Sequence, residues 1–118
     1  MIERLVPILQ VKDADASAQY YAGKLGFREV WRYQSAPGEH LFVAVERDGL
    51  RLFLSEFLES VVGTQIYLYV KDVDAIAREF AERGVVFEWE PAETSWGTRE
   101  FRLRDPDGNK LRFGKRLR

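Results

Sequence analysis

Few side chains in this chain could do covalent or metal chemistry. Cysteine is absent, so there is neither a thiolate nucleophile nor a sulfur-rich metal site. His40 is the only histidine. It lies beside the turn Ser35-Ala36-Pro37-Gly38, and its neighbour Glu39 would point to the opposite side of an extended strand. No carboxylate is therefore placed to orient it as a general base, and the rim of a groove suits it better. The run Asp105-Pro106-Asp107-Gly108-Asn109 has the flavour of a calcium loop but lacks the further spaced oxygens and the distal Glu, so it reads as a turn. The basic tail Lys115-Arg116-Leu117-Arg118 reads as a solvated chain end. What remains is non-covalent chemistry, carried by aromatic rings that can stack on a flat ligand at small entropic cost. Trp96, in a loop beside Gly97, has the least packing reason to exist and is the best single ligand contact. Trp31 and Trp89 look like equivalents that share a packing role.

The bulk composition narrows the setting. At 118 residues, with 46% hydrophobic residues, the chain has enough material for one domain with a real core. A net charge of −1 argues against a nucleic-acid partner. No segment approaches the roughly 20 apolar residues of a membrane span. The start Met1-Ile2-Glu3-Arg4 carries no apolar run of signal-peptide length, so the expectation is a cytoplasmic protein with no membrane partner.

The elements that must position these rings are duplicated. Val11-Lys12-Asp13 returns 59 residues later as Val70-Lys71-Asp72, and Asp48-Gly49-Leu50-Arg51-Leu52-Phe53-Leu54 lines up at the same shift with Asp107-Gly108-Asn109-Lys110-Leu111-Arg112-Phe113. In the first half, residues 4–11 read as a strand with an irregular start at Pro7, then a helix opens at Asp13 and runs to about Lys24. Strands follow at about 27–33, 39–47 and 50–56, the last two joined by the tight turn Arg47-Asp48-Gly49. The second half repeats this with a strand at 65–70, an amphipathic helix at 72–83 ended by Gly84, a strand at 85–90, a loop at 91–97, and strands at 98–105 and 109–114. The spacing predicts module one at about 1–56, a hinge at about 57–64 and module two at about 65–118, each β-α-β-β-β.

Strand parity divides the side chains into two faces. Leu5, Leu9, Val11, Leu52, Leu54, Ile66, Leu68, Val70, Leu111 and Phe113 share the face that meets the helices. The other face carries Val6, Ile8, Gln10, His40, Phe42, Ala44, Arg51, Phe53, Ser55, Gln65, Tyr67, Tyr69, Lys110 and Arg112. Rings mixed with polar heads fit a ligand-lining surface, and they equally fit the filled inside of a rolled sheet or a dimer interface.

These residues resemble the vicinal oxygen chelate superfamily, which includes glyoxalase I, extradiol dioxygenases, and the fosfomycin- and bleomycin-resistance proteins. The carriers are Val11-Lys12-Asp13 with Ala16-Ser17 and Tyr20-Tyr21, Leu25-Gly26-Phe27, Trp96-Gly97-Thr98-Arg99-Glu100-Phe101 and Asp105-Pro106-Asp107-Gly108-Asn109. The tryptophan motif, with Arg47-Asp48-Gly49 before Leu52-Phe53-Leu54-Ser55, resembles the bleomycin-resistance branch. The resemblance implies an α+β fold of two tandem βαβββ modules, with mixed sheets rolled around a groove, in a homodimer.

In the superfamily's enzymes one metal is held from the first and last strands of each module. Alignment puts Val6, Phe53, Gln65 and Arg112 at those positions, with the repeat pairing Val6 with Gln65 and Phe53 with Arg112. Valine and phenylalanine cannot ligate a cation, arginine repels one, and glutamine alone is a weak ligand. No metal, no cofactor and no catalytic residue is expected. The bleomycin-resistance branch implies instead a binding protein that sequesters a planar drug in clefts at a homodimer interface. Carried over residue by residue, its ligand contacts are Phe42, Ser55, Tyr67 and Trp96, and Phe53, Arg112 and His40 complete the candidate site. Arg51, Lys110 and Arg112 would give the groove cationic walls, suited to an anionic or electron-rich planar ligand more than to cationic bleomycin. Two alternatives stay open: an enzyme of the glyoxalase or dioxygenase kind with a divergent site, and an interaction module that lost its pocket.

Overall fold

The computed structural model describes residues 1–118. The element order is β1 (Ile8–Gln10), α1 (Ala14–Leu25), β2 (Arg28–Gln34), β3 (Leu41–Arg47), β4 (Leu50–Ser55), β5 (Gln65–Tyr69), α2 (Val73–Glu82), β6 (Phe87–Glu93), β7 (Thr98–Arg104) and β8 (Lys110–Arg116). Two four-stranded mixed sheets result, ordered β1-β4-β3-β2 and β5-β8-β7-β6. Only β1–β4 and β5–β8 run parallel. The fold is α+β, two βαβββ units in tandem. No helix is long and apolar enough to cross a membrane.

The duplication extends to local chemistry. Asp13 and Asp72 cap their helices identically, each accepting from the amide three residues on, Ala16 N and Ala75 N, at 3.0 Å. The turn between β3 and β4 holds Asp48 and Gly49 at φ of 51° and 79°, the left-handed pair that a two-residue hairpin needs. Each helix covers one face of its own sheet, α1 on β2, β3 and β4, and α2 on β6, β7 and β8. The buried side chains of both halves merge into one core cluster of 20 residues, from Leu9 through Phe80 to Phe113.

Some expectations need correcting. The first strand is much shorter than residues 4–11, and Leu5 is exposed rather than on the core face. Pro7 has no N–H for the ladder, and hydrogen bonding to β4 begins at its carbonyl, which accepts from Phe53 N at 2.9 Å. In the second module the expected loop at 91–97 is shorter, because β6 continues past Pro91 to Glu93. As an outer strand, β6 leaves one edge without ladder partners, and a proline is tolerated there.

A polar seam joins the modules. Asp105 is buried, and its Oδ1 accepts from the amides of Asp107 and Asn109, both at 2.9 Å. Its Oδ2 accepts from Asn109 Nδ2 at 3.0 Å and from the hydroxyl of Tyr21, on α1 of the other module, at 2.8 Å. Asn109 Nδ2 also donates to Gln10 O on β1 at 3.1 Å, and Lys12 N donates to Asp107 Oδ1 at 2.8 Å. The sequence reading of 105–109 as a turn is correct, and the turn is also the socket for the first module. Burial raises the Asp105 carboxyl above its ordinary range, outweighing the hydrogen bonds that favour its charge. A second clamp lies at the other end, where Arg47 donates to Glu79 on α2 at 2.6 and 2.8 Å and to Leu25 O at 2.8 Å.

Removing the Tyr21 hydroxyl should loosen this seam without emptying the core. Tyr21→Phe is expected to lower the unfolding free energy by about 1–3 kcal/mol, because a buried carboxylate oxygen loses a donor. Urea denaturation measures this, and an unchanged midpoint would remove the bond from the account of module docking.

Candidate functional site

The faces turned away from the helices are open in the single chain. On the first module they carry a continuous set of rings. Trp31 stacks on Phe42 at 5.8 Å with an interplanar angle of 6°, and Phe53 meets both at 5.4 and 5.0 Å. Phe57, from the connecting segment, adds a ring 6.5 Å from Phe42, and His40 lies 5.2 Å beyond it. His40 is exposed at the edge of this cluster.

The position of Trp31 corrects the sequence reading, which gave it and Trp89 a packing role. Plain alternation would keep Trp31 on the same side as buried Phe27. The ladder between β2 and β3 instead slips between Glu29 and Trp31, so Glu29 pairs with Val45 and Trp31 with Ala44. The extra residue rotates Trp31 onto the open face. The same slip occurs between Phe87 and Trp89 on β6, where Phe87 pairs with Leu103 and Trp89 with Arg102. Both indoles are therefore about 40% exposed, at 40% and 41%. A bulge does not announce itself in a period-two pattern. The near-equivalence of the two tryptophans in the repeat was the available signal, and it pointed to a shared role without saying on which face.

The second module's face is built differently. Its centre is Glu100 on β7, which is buried. Glu100 accepts from Tyr67 OH at 2.7 Å, Thr98 Oγ1 at 2.9 Å and Arg112 Nε at 2.8 Å. Arg112 Nη2 lies 2.7 Å from the same carboxylate. The guanidinium of Arg112 then faces three rings, Tyr67 at 5.5 Å, Trp89 at 5.3 Å and Trp96 at 5.8 Å. Arg102 lies flat on Trp89 at 3.7 Å while donating to Gln65 Oε1 at 3.0 Å. Gly114 is what lets Tyr67 reach Glu100, since a Cβ at this position would overlap the Tyr67 hydroxyl and crowd the Glu100 side chain.

Glu100 was missing from the sequence-based site. Parity on β7 puts Thr98, Glu100 and Arg102 on one face, and Glu100 stands inside the tryptophan motif. Its role needed the β7–β8 register, which sets Arg102 opposite Arg112 and Glu100 opposite Gly114. Ser55 is a correction of another kind. It is buried, its Oγ donates to Glu59 at 3.0 Å and accepts from Phe57 N at 3.1 Å, so its hydroxyl holds the connecting segment instead of facing the open surface. Of the expected cationic walls, Arg51 is paired with Glu46 at 3.0 Å and Arg112 with Glu100, while Lys110 has no carboxylate partner.

The metal positions do not fit a cation. Val6 precedes β1, Phe53 is a ring among rings, Gln65 is engaged by Arg102, and Arg112 brings positive charge. No three His, Cys, Asp or Glu side chains converge anywhere in the chain. Phe42, Phe53 and His40 come together on the first module, and Tyr67, Trp96 and Arg112 on the second.

The sequence matches the model of the family described as Glyoxalase/Bleomycin resistance protein/Dioxygenase superfamily over residues 2–113. Among solved structures, TioX from Micromonospora sp. ML1 superposes with a TM-score of 0.82 at 20% identity, covering 98% of this chain and 99% of that one. TnmS3, an antibiotic binding protein from Streptomyces sp. CB03234, gives 0.76 at 27% identity, covering 98% and 97%. A superfamily member from Sphaerobacter thermophilus gives 0.77 at 26% identity, with 98% of each chain covered. No curated protein sequence matches the chain significantly.

Two outcomes test the Glu100 centre. Burial acts to raise its carboxyl, but the bonds from Tyr67, Arg112 and Thr98 outweigh burial and hold it below the ordinary value of 4.5. With the folded-state value below the ordinary one, its stabilisation is complete above pH 4.5 and is lost as the pH falls from there through the folded-state value. Glu100→Gln should therefore flatten the acid side of the stability–pH curve below about pH 4.5, as read by thermal melts. An acid limb as steep as the wild type's would show that Glu100 carries none of it. Burial, and then the bond to Glu100, raise the Tyr67 phenol to about 12. Gly114→Ala should bring that titration back toward the ordinary tyrosine range, measured by ultraviolet absorbance against Tyr67→Phe. An unaltered titration would mean that Tyr67 does not depend on the glycine.

Proposed function

The chain belongs to the glyoxalase/bleomycin resistance protein/dioxygenase superfamily, and on that footing we propose that it is a metal-free binding protein of the bleomycin-resistance kind. It sequesters a planar aromatic ligand or drug and leaves it chemically unchanged. The observation that carries this reading is the open ring cluster of Trp31, Phe42 and Phe53, in which Phe53 stands at one of the four positions aligned with a metal ligand. Flat rings held on strands offer a rigid stacking surface, and their exposure in the single chain leaves that surface free for a ligand. The likeness to an antibiotic binding protein at 27% identity supports the same reading.

The ligand-contacting residues are Trp31, Phe42, Phe53 and Phe57 with His40 at the rim on one module, and Tyr67, Trp89, Trp96 and Arg112 on the other. Ser55 supports them through the connecting segment. The protein acts as a cytoplasmic homodimer. Trp31, Tyr33, Tyr69 and Trp96 are large rings left exposed in the single chain, the kind of surface a partner covers. A second copy facing it would turn each open face into a cleft.

Titration with flat aromatic compounds, including bleomycins, should quench tryptophan fluorescence and raise the melting temperature. Phe42→Ala and Trp96→Ala should each weaken a bound planar compound by about 1–3 kcal/mol, the scale of an interface anchor. Unchanged affinity in both variants would take stacking out of the mechanism. Sedimentation should give twice the chain mass, and a stable monomer would overturn the dimer cleft.

A further inference from the structure

We infer that Arg112 selects planar ligands carrying an anionic oxygen, such as an aryl carboxylate or a phenolate. This rests on the binding reading above and specifies its ligand. Arg112 is fixed along one edge, where Nε and Nη2 meet Glu100 at 2.8 and 2.7 Å. Its remaining nitrogen, Nη1, has no acceptor in the chain and is not among the buried unpaired atoms, so its donors are open. The surrounding rings of Tyr67, Trp89 and Trp96 hold the guanidinium in a partly apolar setting.

A flat ligand laid against these rings would strip water from Nη1. A neutral hydrocarbon ring returns nothing to that donor, and an unpaired guanidinium edge is costly to bury. A ligand oxygen at the ring's edge returns a hydrogen bond, and an anionic one returns a charge-assisted bond to a donor already in place. The charges around the cage agree. Arg102, Arg104, Lys110 and Arg112 share this face, and Glu88 and Glu100 are the carboxylates bonded among them. Lys110 forms no hydrogen bond through its side chain, so positive charge is left over for a ligand to meet.

The test compares a naphthoate with the matching naphthamide, which have the same rings and nearly the same shape. Calorimetric titration of the wild-type protein at neutral pH should show the carboxylate binding about tenfold tighter or more, the margin of a charge-assisted over a neutral hydrogen bond. The double variant Arg112→Gln with Glu100→Gln removes the pair without leaving either charge buried alone, and should close the gap. Arg112→Lys, which keeps charge but not the fork, should narrow it. Equal binding of the two compounds to the wild type overturns the inference and leaves the stacking reading standing. Binding of neither overturns both. A gap that persists in the double variant takes the selection away from Arg112.

Discussion

The buried carboxylate of Asp105 is the point on which the arrangement of the two modules turns. Burying a charge is costly unless its oxygens are met, and here both are. Two amides and the Asn109 side chain supply bonds from within the turn, and Tyr21 supplies one from the other module. The same Oδ2 that Asn109 meets within the turn also takes the Tyr21 hydroxyl, so the turn presents a bonded face to α1. Asn109 adds a second tie between the modules by donating to the backbone of β1. With the seam and helices so engaged, each sheet turns its other face outward.

Those outward faces solve the same geometric problem with different chemistry. The first centres on rings, brought together by a bulge that turns Trp31 over Phe42. The second uses an equivalent bulge to turn Trp89 outward, but spends its central positions on a carboxylate and a guanidinium. Glu100 organises three donors at once, and the absent Cβ at Gly114 makes room for one of them. The two repeated halves thus share their helix N-caps and outer-strand bulges, while their open faces differ.

In a metal-dependent relative the corresponding strands would present ligands to one cation. Here Phe53 joins a ring cluster, Gln65 bonds to Arg102, and Arg112 pairs with Glu100. Each has been given another partner by its neighbours, and none of the three is a side chain suited to ligating a cation. Part of the charge on the second face is used internally, on Glu88 and Glu100, so the cationic groove read from strand parity is narrower than the residue types alone suggest.

The residues alone determined the duplicated β-α-β-β-β order, the helix starts, the hairpin turn and most of the core face. Each of these depends on neighbours a few residues apart, on the regular alternation of a strand or on a repeat visible along the chain, so a linear reading suffices. The direction of Trp31 and Trp89, the burial of Ser55 and the role of Glu100 were decided only by the tertiary structure. A bulge is a mismatch between two strands, visible only once they are paired. Ser55 is hidden by the connecting segment that its own hydroxyl holds. Glu100 becomes the organiser of the second face because Tyr67, Thr98 and Arg112 converge on it from three strands, and Tyr67 lies 33 residues away in sequence.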